Sequence, residues 1–126
     1  KGKTPLDAGR STKGNFSFDF INDLEGICVG GDYTGDSATT YSIAKTIDGG
    51  KTWRLIDDPI ISGKYNSCVS YLNYDTVIST SRTGISYSYN AGKTWKAFSG
   101  SYYTCSSAKQ VIWLSGPNGS LAKLSF

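Results

Sequence analysis

Histidine and methionine are absent from this chain of 126 residues, proline occurs three times, and Glu25 is the sole glutamate. Without histidine, neither a Ser–His nor a Cys–His nucleophile pair can be assembled from the chain itself. The lack of methionine, with Lys1 first and neither a charged n-region nor an apolar h-region behind it, leads us to expect a processed or excised piece of a longer polypeptide. Any targeting signal would then lie upstream. The longest apolar runs are a few residues, so no membrane-spanning helix is expected. No segment sustains an apolar period of 3.6, so almost no helix is expected either.

Cysteine is sparse and odd in number: Cys28, Cys68 and Cys105 leave at least one free thiol. Each lies in an apolar, strand-like context, where a free cysteine behaves as a small buried hydrophobe. A Cys68–Cys105 disulfide is the open alternative, because both fall on equivalent strands of successive units; the sequence does not supply the geometry it needs.

The net charge of +3 is unevenly placed. Residues 1–15 hold Lys1, Lys3, Arg10 and Lys13 against Asp7, and the remainder is balanced. A short basic lead-in reads as a solvated end; nucleic acid would demand a basic face interleaved with aromatics, and no nucleic-acid partner is expected.

Strand and turn formers are plentiful: 15 glycines, 9 tyrosines and abundant serine and threonine. Among them one pattern recurs. Thr46–Trp53 reads TIDGGKTW and Ser88–Trp95 reads SYNAGKTW, a repeat after about 42 residues that marks a repeat architecture. The residue types have a physical reason. Asp48 and Asn90 can accept bonds from backbone N–H groups just downstream. Gly50 and Gly92 suit positions of positive φ. Thr46, Thr52, Ser88 and Thr94 complete the polar turn, and Trp53 and Trp95 open the outgoing strands with a large aromatic surface. These ten residues read as structural; a catalytic Asp48 is disfavoured because the second copy keeps the turn with uncharged Asn90.

Alignment on the two turns resolves an all-β chain: a 1–15 lead-in, then units at 16–62, 63–100 and 101–126. Strands are expected at 16–21, 26–30, 41–47 and 53–56 in the first, and at 67–72, 76–80, 84–88 and 95–98 in the second. The third has 103–107, 111–115 and 121–124. Four-stranded antiparallel units of this length are β-propeller blades, so the chain amounts to a propeller portion of about two and three-quarter blades. The fourth strand of the last blade would come from elsewhere, with residues 1–15 as one candidate donor despite Pro5, Gly9 and Gly14.

The repeated turns resemble the Asp-box, or bacterial neuraminidase repeat. The likeness extends to FSFDF (16–20), GICVGGDY (26–33), YNSCVSYL (65–72) and WLSGPNGSLAKLSF (113–126). In that form and order they resemble bacterial proteins similar to the photosystem II stability/assembly factor, in the C-terminal part of such propellers. The resemblance implies a non-enzymatic propeller module that binds or assembles a protein partner within a larger exported protein, secreted or periplasmic. Tyr33, Tyr65, Tyr102 and Tyr103, near strand starts and loops, are the candidate contact residues. The alternative that it implies is a glycan-binding or glycoside-hydrolase propeller fragment of sialidase or xyloglucanase type.

The catalytic inventory for that alternative is thin. Sialidases need three arginines around a carboxylate, a Tyr–Glu pair and an acid Asp, whereas Arg10, Arg54 and Arg82 match no such motif. Asp57 and Asp58 adjoin Pro59 in an exit loop, where turn-forming Asp is ordinary. No catalytic residue is assigned. Asp32, Asp36, Ser37 and Thr39 in the loop 30–40 could gather oxygens around a hard cation, but without EF-hand spacing the loop reads as surface, and no metal or cofactor is expected.

Overall fold

The computed structural model describes residues 2–9, 11–34 and 41–125. Among these run eleven strands and one 3-10 turn, Pro117–Gly119. They form three antiparallel sheets in which chain order is spatial order. The first blade is β1 (Lys13–Phe20), β2 (Gly26–Asp32), β3 (Ile43–Thr46) and β4 (Arg54–Leu55). The second is β5 (Cys68–Tyr71), β6 (Val77–Ser81), β7 (Gly84–Ser88) and β8 (Lys96–Phe98). The third is β9 (Thr104–Ala108), β10 (Val111–Ser115) and β11 (Leu121–Ser125). The all-β, three-unit reading of the sequence holds. Among the described residues no helix is long and apolar enough to cross a membrane.

Short polar side chains fix the connections. Asn22 Oδ1 accepts from the Leu24 and Glu25 amides at 2.9 and 2.8 Å and turns β1 into β2. Asn73 repeats the device between β5 and β6, accepting from Asp75 and Thr76, both at 2.9 Å. The β3–β4 and β7–β8 turns are the repeated motif. Thr46 Oγ1 accepts from Gly50 N and Ser88 Oγ from Gly92 N, each at 2.9 Å. Asp48 Oδ1 accepts from Thr52 N, as Asn90 Oδ1 does from Thr94 N, again at 2.9 Å. Gly50 and Gly92 carry φ of 85° and 89°, a region other residues enter at a cost. Trp53 and Trp95 stand one residue before their strands rather than in them. Trp95 is 5% exposed and its indole donates to Gly92 O, while Trp53 is half-buried edge-on to Phe20.

The blades bury their faces on one another. Ile27, Val29 and Ile43 of the first meet Val69, Tyr71, Val77 and Trp95 of the second. Ile78 and Ile85 of the second meet Cys105, Ile112 and Leu114 of the third. At about 1.5–3 kcal/mol for each fully buried aliphatic side chain, these seams are the main source of cohesion. Burial follows position in the stack: all five residues of β6 are buried because the second blade is covered on both faces. In β10, Ile112 and Leu114 are buried while Trp113 faces out, as a sheet covered on one face requires.

The described part of the lead-in, one candidate donor for the missing strand of the third blade, packs on the first blade instead. Lys13 to Asn15 already belong to β1. Upstream, Leu6 is buried against Cys28 and Ala44, and Asp7 exchanges two 2.9 Å bonds with the Tyr41 backbone. An apolar Leu6 gains more from covering the bare face of the first sheet than from an extended edge. The first strands β1, β5 and β9 lie side by side, the arrangement of inner propeller strands around an axis.

Candidate partner-binding face

Inner strands that run the same way place their starting ends together. That end also carries the exit of β2 and the β6–β7 turn, and the repeated turns lie at the opposite end. There a recess of about 460 Å³ is lined by Phe16, Tyr33, Tyr65, Ser67, Arg82 and Tyr103. All three blades contribute to it. Its volume lies within the range of ligand-sized clefts.

The recess has an aromatic framework. Phe16 lies 5.8 Å from Tyr33 and 5.6 Å from Tyr65, both edge-to-face. Arg82 Cζ stands 6.0 Å from the Tyr65 ring centroid, a cation–π distance. Burial pushes the Tyr65 phenol up, with Arg82 pulling the other way, so the ring presents a neutral hydroxyl. Arg82 has no carboxylate partner among the described residues. Phe16 is aimed by a bulge: the β1–β2 register shifts between Asn15 and Ser17, so that the two flanking residues pair with Gly30 and Val29 and Phe16 is left over. Beside the recess a smaller one of about 160 Å³ adds Asp32, Lys64 and Thr83. Burial lowers the Lys64 ammonium, which donates to Ser86 Oγ at 3.3 Å.

Three of the four candidate tyrosines, Tyr33, Tyr65 and Tyr103, thus meet in one place. Tyr102 does not. It is half-buried against the Ile78–Ile85–Ile112 core, because neighbours in an extended chain point to opposite sides. Phe16 and Arg82 are not among the contact residues that sequence reading singles out. Phe16 reads there as an ordinary strand residue and Arg82 as an arginine that matches no catalytic motif, and only the bulge and the blade stacking make them neighbours.

Of the acid groups considered for chemistry, Asp48 and Asp58 are occupied structurally. Asp58 Oδ1 accepts from Ile60 N at 2.9 Å and Oδ2 from Trp95 N at 3.0 Å, tying the exit loop to the second blade. Near the far end, a recess of about 720 Å³ beside Trp53, Arg54, Lys45 and Lys93 has Asp57 as the one carboxylate in its lining. A glycosidase acid/base pair is not assembled there. No group of three or more His, Cys, Asp or Glu residues that could hold a metal occurs among the described residues. Asp32 accepts from Thr34, and the other members of that candidate cation loop, Asp36, Ser37 and Thr39, lie outside the described residues.

No family model matches the chain, and no curated protein sequence matches it. Solved structures do. YCF48 bound to D1 peptide superposes with a TM-score of 0.68 at 17% identity, over 97% of this chain and 39% of that one. YCF48 from Cyanidioschyzon merolae gives 0.65 at 18% identity, over 94% and 34%. An ancestral GH74 enzyme gives 0.59 at 20% identity, over 81% and 16%. YCF48 is a photosystem II assembly factor with a β-propeller fold, and it is the fold that identities of this size establish. The chain is a β-propeller portion spanning little more than a third of the YCF48 chains it resembles.

Proposed function

We propose that this chain is the partner-binding part of a larger, non-enzymatic propeller protein, and that it takes a peptide segment of a protein partner at the aromatic recess. The single observation behind this reading is the convergence of Phe16, Tyr33, Tyr65 and Tyr103 around Arg82 on one open face. Rigid aromatic rings give contact area at little entropic cost, and an arginine over a ring offers a carboxylate two parallel donors. The peptide that fits carries an aromatic or aliphatic side chain for the recess and an acidic group for Arg82. That a propeller of the same fold has been solved with a peptide bound supports the reading.

The test is selection from a displayed peptide library, with the D1 peptide as a defined second probe. Selected peptides should share an acidic residue near an apolar one. Tyr103→Ala should weaken capture about tenfold, the equivalent of 1.4 kcal/mol, with an unchanged melting point. Capture that survives Tyr33→Ala and Tyr103→Ala together would overturn the proposal.

A carbohydrate reading draws on the likeness to the GH74 enzyme and on the half-buried Trp53 beside the second recess. Binding on a glycan array that is lost with Trp53→Ala would favour it. An exported setting, secreted or periplasmic, is part of the proposal and draws support from the low-charge, Ser/Thr/Gly-rich composition; fractionation of the native source tests it.

A further inference from the structure

Immediately beneath the recess, the inner strands of all three blades converge on one sulfur. Cys68 of β5 follows Ser67, which lines the recess, and Cys105 of β9 follows Tyr103 by two residues. Cys68 Sγ donates to Cys105 O at 3.3 Å. Thr104 Oγ1, from the third blade, donates to Cys68 Sγ at 3.5 Å, and Ser17 Oγ, from the first, at 3.7 Å. One step along the same seam, Ser70 Oγ donates to Ser107 Oγ at 3.0 Å. The facing pairs 68/105 and 70/107 keep a single offset, so the Cys68 and Cys105 side chains oppose one another as the two serines do. All three cysteines are free thiols in this structure.

We propose that Cys68 and Cys105 form a dithiol–disulfide site that reversibly staples the second blade to the third below the partner-binding face. The two cysteines divide the labour. Hydrogen bonding to the Cys105 side chain, ahead of the opposing cost of burial, holds the Cys68 thiol down to about 5, which makes it the thiol of the pair that ionises first, giving up its bond to the Cys105 carbonyl as it does. Cys105 is pushed well up, first by Cys68 and then by burial. Cys28, fully buried and pushed up to about 12 by desolvation, stands apart and inert.

Glutathione disulfide serves as the oxidant. The Cys68 thiolate attacks one of its sulfurs, the S–S bond breaks, and one glutathione thiolate leaves with the electron pair. The mixed disulfide leaves no thiolate at Cys68 to accept from Cys105, which removes the side-chain hydrogen bond that, ahead of burial, kept Cys105 protonated. Cys105 then gives up its proton to solvent and attacks Cys68 Sγ, and the second glutathione thiolate departs. The cysteine pair has lost two electrons, and the oxidant has gained them as two glutathione thiolates, one of which can take up the proton that Cys105 released.

The native chain should be incubated with glutathione disulfide, alkylated, digested without reduction and read by mass spectrometry, with melting points taken in parallel. The expected result is a Cys68–Cys105 cross-linked peptide, with Cys28 alkylated only after unfolding. The melting point should rise by roughly 10 °C, because the bond closes a long loop in the unfolded chain. Cys28→Ser should keep both effects, and Cys105→Ser should stop at a stable glutathione adduct on Cys68. A persistent adduct on Cys68 of the unmutated chain with Cys105 still free would overturn the proposal, as would a disulfide between two copies of the chain.

Discussion

The Asp19 carboxylate on the inner strand of the first blade accepts the backbone N–H of Tyr71, on the inner strand of the second, at 2.7 Å. Two residues earlier Ser17 Oγ accepts from Val69 N at 3.1 Å. On the far side Ser107 Oγ donates to Tyr71 O at 2.6 Å. An inner strand is a sheet edge, and its outward amides and carbonyls have no ladder partner of their own. Side chains at every second position of the neighbouring inner strand satisfy them instead. The blades are therefore joined by polar stitches along the axis as well as by apolar faces.

Asp19→Ala removes a charged acceptor and strands the Tyr71 amide. A hydrogen bond to a charged group contributes about 1.5–3 kcal/mol, and urea unfolding should show a loss of that size. A variant as stable as the parent would mean that water serves the amide equally well.

These stitches mark the boundary of what sequence reading reaches. β7 and β10 fall where the alternation places them, since period-2 patterning and bracketing turns are both local. The paired glycines of the repeated turns are local as well. Whether Ser17 meets Val69, or Phe16 meets Tyr65, depends on contacts between residues some fifty positions apart, which no local pattern encodes. Tyr102 and Tyr103 show the limit most plainly. Adjacent residues of one type, they part between core and recess according to which way one strand faces.

The first repeated turn should carry an acid-sensitive share of stability that the second lacks. The Thr52 hydroxyl, followed by its amide and by Thr46, lowers the Asp48 carboxyl from 3.8 to about 2. A depressed carboxylate stabilises the fold fully above its unfolded value, and that contribution fades as pH falls from about 4 through 2. Asn90 makes the same amide contact and turns the hydroxyl bond round, donating from Nδ2 to Thr94 Oγ1 at 2.7 Å. Asp48→Asn should therefore fold with the same turn. Its melting point should approach that of the parent chain between pH 4 and 2, and a gap that stays constant over that range would contradict the assignment.

Arg82→Ala should separate binding from folding. The guanidinium is spent on no ion pair among the described residues, and its contact with Tyr65 is a partly solvated cation–π pair of about 0.5–1 kcal/mol. Stability should fall by no more than that. Affinity for an acidic peptide selected on the parent chain should drop about tenfold by fluorescence anisotropy, and the drop should shrink in high salt. An equal loss for peptides without acidic residues would assign Arg82 to shaping the recess rather than to reading charge.

Gly30 ties the fold of the first blade to the site above it. A Cβ at this position would overlap the Gly14 carbonyl oxygen and crowd the Asn15 backbone, at the point where β1 closes on β2 ahead of the bulge. The obstacle is main chain on both counts, so no side-chain rotation relieves it. Gly30→Ala must push β1 outward, at an overpacking cost of roughly 1–3 kcal/mol. The displaced segment carries Phe16, whose ring braces Tyr33 and Tyr65. Peptide capture should thus weaken even at a temperature where the variant is fully folded by circular dichroism. Gly14→Ala is the control: its added methyl meets nothing within 4 Å, and both stability and capture should hold. Were the two alanine variants to behave alike, the close approach of the strands would not be what aims Phe16 into the recess.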